Sequence, residues 1–397
     1  MQTRVAITPG LWRLLVAAIV ALALTVTLGA MSASATKSSS CQVTNTDTGR
    51  TFPRLQQAVD AAKPGAHLIV KGTCYGGTFI DKDLAIVGKK TKRSGKPVLD
   101  GDNKARVLTI KPTVKVSIRS LVIRKGRASR VPDGGGISNK GRLTLLDVVV
   151  GGNWAASRGG AIFNEGVLRV LGASRVKGNG TGTFGLGPAV FNLGHLVLGG
   201  SSRIVSNDGS PLANEGTIIM NGASNISRNT AFRVGRTGPT NRGTFMMNDR
   251  SSVAEGSGFW NEGALTMNDE SSIHHNLRAG PSLQCGGGSL GGGVRNMGSL
   301  VMNDASSIRD NIASGGCSGP PYLSRGGGVY NEGTVTMTGA SRITGNEAGA
   351  AAVGLREPGL GGGLYDASGG ILNGVYCAPH TYANVYGNTP DDCYFEP

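Results

Sequence analysis

One three-residue step, Asn-x-Gly, recurs at Asn139, Asn164, Asn192, Asn214, Asn241, Asn261, Asn296 and Asn331, with Asp366 as a degenerate ninth copy. The intervals are 25, 28, 22, 27, 20, 35, 35 and 35 residues, yet the text around each step holds its register. Two residues before the Asn stand Ile137, Ile162, Val190, Leu212, Phe259, Val294, Val329 and Leu364, interrupted by Pro239. Four after it come Leu143, Leu168, Leu196, Ile218, Phe245, Leu265, Leu300 and Val335. Six after it come Leu145, Val170, Leu198, Met220, Met247, Met267, Met302 and Met337. Apolar residues two apart, with a variable residue between them, have the period of a strand. Twelve after the Asn, Val176, Ile204, Ile226, Val253, Ile273, Ile308 and Ile343 mark another short strand.

A single copy cannot bury its own apolar face, so the copies must stack, like residue on like residue. The spacing therefore predicts a right-handed parallel β-helix in which each copy is one coil of about three strands. Seven copies carry Ser ten after the Asn, and six carry Asn fifteen after it, from Asn179 to Asn346. Amides at tight corners can hydrogen-bond the same group one coil away, so the Asn columns read as structural ladders. All insertions follow the last of these positions and should leave the coils along one side; the largest are Leu277–Gly292, Ile312–Gly327 and Glu347–Gly362. Eleven or twelve coils are expected, stacked at about 4.8 Å.

Stacked strands expose edges at both ends, and these need covers. The stretch TFPRLQQAVDAAKPG, residues 51–65, reads as a helix with Leu55, Ala58, Val59 and Ala62 on one face and Pro64-Gly65 as its stop. Residues 66–130 read as strongly basic first coils, 131–366 as the Asn-x-Gly coils, and 367–397 as an irregular cap stapled by Cys377 and Cys393. Residues 1–35 read as a signal peptide, since Arg4 and Arg13 flank the apolar run Leu14–Ala30, followed by Ala33-Ser34-Ala35. Residues 36–397 then form one exported β-helix domain with no membrane span after cleavage. Six cysteines outside the cytosol favour disulfides, and local clustering suggests Cys41–Cys74, Cys285–Cys317 and Cys377–Cys393. Glycine, 65 of 397 residues, lacks the every-third-residue spacing of collagen.

The net charge of +15 is uneven: Lys82–Arg130 holds 15 Lys and Arg against 3 Asp, whereas from Val131 onward 18 basic residues face 19 acidic ones. A field concentrated at one end attracts polyanions. Lys89, Lys90, Lys92, Arg93 and Lys96 form a loop-like cluster, and Arg124, Lys125 and Arg127 continue it. Nucleic acid is disfavoured as the partner, because no aromatic residue interrupts Asp81–Arg130 to stack bases.

Residues 51–88, TFPRLQQAVDAAKPGAHLIVKGTCYGGTFIDKDLAIVG, resemble the opening of pectin-lyase-like β-helix proteins, pectinesterases included. The repeats GGGISNKGRLTL, GGAIFNEGVLRV and GGGVYNEGTVTM are similar to those of polymorphic outer-membrane proteins and of secreted bacterial β-helix repeat proteins. The resemblance covers nearly all of residues 51–393, implies the fold, and leaves activity open, since that superfamily holds lyases, hydrolases, esterases, adhesins and plain binders. Polygalacturonase-like signatures are absent: the sole Asp-Asp pair is Asp391-Asp392 in the tail, and His195 lies in LGHLVL without the flanking glycine. No opposed pair of carboxylates is nominated for hydrolysis.

Three further columns are candidates. Asp249, Asp269 and Asp304 lie eight residues after their Asn, where stacked carboxylates invite Ca²⁺ or stand as solvated turn residues. His274 and His275, as strand neighbours, should point to opposite faces and so not ligate one metal together. One before the Asn, Phe163, Phe191, Trp260, Tyr330 and Tyr365 should point outward and could offer faces to sugar rings. The expected protein is a secreted, monomeric, non-catalytic, adhesin-like binder of acidic polysaccharide or another extracellular polyanion. No cofactor is required unless it is Ca²⁺, and the alternative is a Ca²⁺-dependent polysaccharide lyase of the pectate-lyase type.

Overall fold

The computed structural model describes residues 41–90, 95–129, 133–182, 187–229, 238–279, 289–315, 323–350, 359–379 and 381–396. The leader at residues 1–35, Lys92, Arg93, Cys285 and Cys317 lie outside these residues. Residues Ser39–Pro397 cluster as one compact unit.

Each Asn-x-Gly copy contributes one strand to each of three long sheets. In the first copy Ile137–Asn139 precedes the tight Asn-Lys-Gly corner, Arg142–Leu146 follows it, and Val149–Gly151 comes after a second corner. Equivalent strands of successive copies pair in parallel, so the sheets hold 14, 12 and 12 strands in sequence order. Only Gln42–Asn45 and its two neighbours in the 14-stranded sheet break this rule, pairing antiparallel. Stacked parallel sheets of this kind are the architecture of a β-helix, with twelve layers where eleven or twelve were expected.

The register is the one the sequence predicts. Leu198, Met220, Met247, Met267, Met302 and Met337 pair in one unbroken line. These methionines are buried, as are the Leu and Ile columns beside them. Burying each such side chain is worth about 1.5–3 kcal/mol, and the lines run continuously through the core. Phe245 and Phe259 are fully buried in the core and meet edge to face at 4.9 Å.

Two buried amide ladders tie the coils together. In the first, the Nδ2 of Asn139, Asn164, Asn192, Asn214, Asn241, Asn261, Asn296 and Asn331 each donates to the next member's Oδ1, ending on Asp366 Oδ1. The second runs Asn153–Asn179–Asn207–Asn229, breaks at Gly256, and resumes as Asn276–Asn311–Asn346–Asn388. The glycine of each Asn-x-Gly step has no room for a side chain: a Cβ on Gly194 would lie 2.1 Å from the Gly166 carbonyl oxygen. The serine column is buried as well, from Ser174 to Ser341.

The caps differ from expectation in detail. The helix spans Leu55–Ala61, shorter than residues 51–65, because Thr51–Phe52 is taken up as a strand against Gln42–Asn45. Its Gln56 side chain serves the open edge of Thr78–Ile80: the Phe79 N–H donates to Oε1 at 2.7 Å, and Nε2 donates to the Phe79 carbonyl at 3.3 Å. The tail is less irregular than predicted, since Ile371–Asn373, Val385–Tyr386 and Cys393–Phe395 extend all three sheets by one strand. Disulfides join Cys41 to Cys74 and Cys377 to Cys393.

Candidate functional site

The outward face of the 14-stranded sheet carries a depression of about 390 Å³ on its early coils. Ala85, Ser117 and Thr144 stack in one outward column and form its floor. The next residue of that column is Arg169, paired with Thr144, so a long side chain closes one end. In the parallel column Lys115 pairs with Arg142 one coil on, and Val167 follows. Small floor residues between long cationic ones are what make the hollow. Its one carboxylate, Asp83, accepts the Lys115 backbone N–H at 2.7 Å.

Some described cations are held in ion pairs, and those of the hollow are not among them. Arg124 is bound to buried Asp100 at 2.9 Å, Lys104 to Asp102, Arg158 to Asp133, Arg242 to Glu262 and Arg309 to Asp310. Among the described residues Lys115, Arg142 and Arg169, all exposed, have no ion-pair partner. Sequence reading placed Lys115 in the basic segment but missed Arg142 and Arg169, which lie in the stretch from Val131 onward whose total charge is balanced.

None of the described basic residues named as the glycan-binding set from sequence lines this hollow. Lys89 and Lys90 are exposed on the strand end after Leu84–Gly88. Lys96 Nζ donates to the Asp147 carbonyl, and Lys125 is exposed at a left-handed corner with φ 51°. Arg127 lies 4.3 Å over the Trp154 ring and, with Lys104 and Arg106, borders a second depression of about 530 Å³. Arg106 is held by the carbonyls of Asp133 and Gly134, and burial lowers its pKa.

The aromatic column is corrected by the structure. Phe163, Phe191, Tyr330 and Tyr365 are buried, at 7%, 6%, 5% and 1% exposure, and Trp260 is half-buried. They stack on each other: Phe163 on Phe191 at 5.7 Å, Tyr330 on Tyr365 at 5.3 Å, and Tyr365 on Tyr394 at 5.1 Å. Arginines cover them, Arg158 and Arg325 from neighbouring segments and Arg295 from the column itself. Arg158 lies over both phenylalanines, Arg295 over Trp260 and Tyr330, and Arg325 over Tyr365. With stacking and cation–π contacts occupying the ring faces, no open platform for sugar remains there. Burial also pushes the Tyr365 hydroxyl up to about 12.

The Asp249, Asp269 and Asp304 column serves the backbone. Each has φ 55°, at a corner that other coils fill with Gly172, Gly200, Gly222 and Gly339 in the same left-handed region. Their carboxylates accept N–H groups one coil back: Asp249 from Gly222, Asp269 from Asp249 and Asp304 from Asp269. Among the described residues no group of three or more His, Cys, Asp or Glu side chains is arranged to hold a metal ion.

His274 and His275 do not point apart. His275 leaves the strand with φ 52°, which turns its ring back towards its neighbour, and the two Nδ1 atoms lie 2.8 Å apart. Burial, with Arg309 and His275 nearby, lowers the His274 pKa to about 4. Among the described residues no helix is long and apolar enough to cross a membrane. No protein-family model matches the chain, and no curated protein or solved structure matches it either.

Proposed function

We propose that the chain is an exported right-handed parallel β-helix of the pectin-lyase-like kind that binds acidic polysaccharide, without cleaving it, through its basic early coils. Right-handedness follows from the strong bias of parallel crossover connections. Two disulfides among the described residues and the charged-then-apolar N-terminus support export. The observation that carries the reading is the hollow in which Lys115, Arg142 and Arg169 converge without carboxylate partners. Uronate groups along a glycan supply the missing negative charge. Ser117 and Thr144 on the floor offer hydroxyls to the sugar, and the parallel columns run across the coils as a chain-like ligand would.

Retention on immobilised polygalacturonate tests this. Binding should weaken as salt is raised, because the cations are exposed and screened. Replacing Lys115, Arg142 and Arg169 together with Ser should lower affinity on the order of tenfold or more, about 1.4 kcal/mol per factor of ten. Undiminished retention of the triple variant would remove the hollow from consideration. Incubation with polygalacturonate and Ca²⁺ separates binding from lyase chemistry, since only a lyase raises the absorbance of unsaturated ends.

A further inference from the structure

His274 belongs to a column that reads Ala254, His274, Arg309 on successive coils of one 12-stranded sheet. The next residue in each coil turns the corner with a left-handed backbone: Glu255 at φ 52°, His275 at 52° and Asp310 at 55°. That corner folds each residue back towards the one before it. In the following coil it brings Arg309 against Asp310 at 2.7 Å, and here it brings imidazole against imidazole. The equivalent corner has positive φ at Gly178, Ser206, Arg228, Glu255, Asp310 and Gly345 as well, so the coil geometry sets the backbone of His275.

The two rings meet edge to face, with an interplanar angle of 87° and Nδ1 atoms 2.8 Å apart. Two imidazoles this close share one hydrogen atom or hold one metal ion between them. Nitrogens bound to one ion at about 2.0 Å lie about 2.8 Å apart when cis in a square or octahedral arrangement, and about 3.3 Å apart in a tetrahedral one. The observed separation is that of an N–H···N hydrogen bond and equals the first, so a metal ion can replace the shared hydrogen without moving the rings apart. Imidazole nitrogen in tetragonal geometry is the preference of Cu²⁺ and Ni²⁺. Glu255 and Asp310 occupy the flanking corners, already paired with Arg228 and Arg309.

We propose that His274 and His275 form a two-nitrogen chelate for a divalent transition metal of the Cu²⁺ and Ni²⁺ class, with solvent completing the coordination. The site is independent of the anion-binding hollow, which lies on a different sheet. It uses two donors, so it is distinct from any Ca²⁺ cage of carboxylates.

Titration of the full chain with Cu²⁺, followed by electron paramagnetic resonance, tests it. The expected result is one saturable equivalent with a tetragonal signal carrying hyperfine splitting from two nitrogens, Cu²⁺ bound more tightly than Ni²⁺ and Zn²⁺ more weakly than Cu²⁺. His274→Ala copies the residue at that position one coil earlier, and His275→Asn keeps a residue that tolerates positive φ, so both variants should fold. Each should weaken the first equivalent at least tenfold and remove the two-nitrogen pattern, with unchanged circular dichroism. An unchanged first equivalent in both variants would place the copper elsewhere and overturn the proposal. So would a wild-type signal carrying a single protein nitrogen.

Discussion

Asn261 stands in the middle of the first amide ladder and has no exposed surface. Its Nδ2 donates to Asn296 Oδ1 at 2.8 Å, the Gly263 carbonyl at 3.1 Å and the Ser299 carbonyl at 2.9 Å. Its Oδ1 accepts from Asn241 Nδ2 at 2.9 Å. Replacing Asn261 with Ala strands Asn296 Oδ1 in a dry corner, while Asn241 Nδ2 still reaches the Gly243 and Ala264 carbonyls. One orphaned buried acceptor costs about 1–3 kcal/mol, and the other lost bonds add about 1 kcal/mol net each. A destabilisation of roughly 4–6 kcal/mol is expected. Asn261→Asp should be worse, because a carboxylate of the same shape would face three acceptors. Urea unfolding of the oxidised protein measures both, with Thr266→Ala, on the outward face nearby, as the reference expected within about 0.5 kcal/mol of wild type. Amide exchange localises the damage: the Glu262 and Met297 N–H groups, bonded to the Asn241 and Asn261 carbonyls, should exchange faster, while those of the early coils do not change. If Asn261→Ala falls within about 0.5 kcal/mol of wild type, the ladder does not hold the corner and the reasoning fails.

Asp366 ends that ladder, and burial raises its carboxyl pKa although the Asn331 amide opposes the shift. A raised folded pKa means that its contribution to stability is present below the unfolded value and lost as pH rises through the folded one. Asp366→Asn should therefore stabilise the protein at neutral pH, with a gain that shrinks as pH falls into the carboxylate range; a pH-independent gain in thermal midpoint would contradict this. Phe245→Ala removes the ring that meets Phe259 edge to face and should cost about 3–5 kcal/mol in the same urea assay. A loss below about 1 kcal/mol would show that the neighbouring coils collapse into the space.

What the sequence made legible was whatever the repeat forces to coincide. The Met line and the Asn ladders follow from one coil lying on the next, and the offsets from each Asn name most of their members in advance. Residues whose partners come from the segments between copies were not legible. Arg158 and Arg325 cover the aromatic column, yet nothing in the spacing says that a guanidinium from one segment will lie on a ring of another. The strand period also misled at His275, because alternation holds only while φ stays extended, and the corner begins one residue earlier than alternation assumes. For Asp249, Asp269 and Asp304 the column was visible and its work was not: the carboxylates answer N–H groups that the turn itself leaves open.

The location of the anion-binding hollow follows from the same stacking. In later coils, residues of opposite charge fall in columns that adjoin from one copy to the next. Arg228 meets Glu255, Arg242 meets Glu262, and Arg295 meets Glu332. On the early coils the first sheet's outward columns offer less of that complement: Arg142 lies between Lys115 and Val167, Arg169 lies between Thr144 and Val197, and the one carboxylate beside them, Asp83, accepts the Lys115 backbone N–H. Arg142 and Arg169 therefore meet no carboxylate in the adjoining coils of their own columns. Thr144→Glu would place a carboxylate between Ser117 and Arg169, beside Arg142, imitating the compensation seen in the later coils. It should lower polygalacturonate retention about as much as removing one cation, without altering the unfolding midpoint by more than about 0.5 kcal/mol. Full retention in that variant would mean that the glycan is held by some other part of the basic coils.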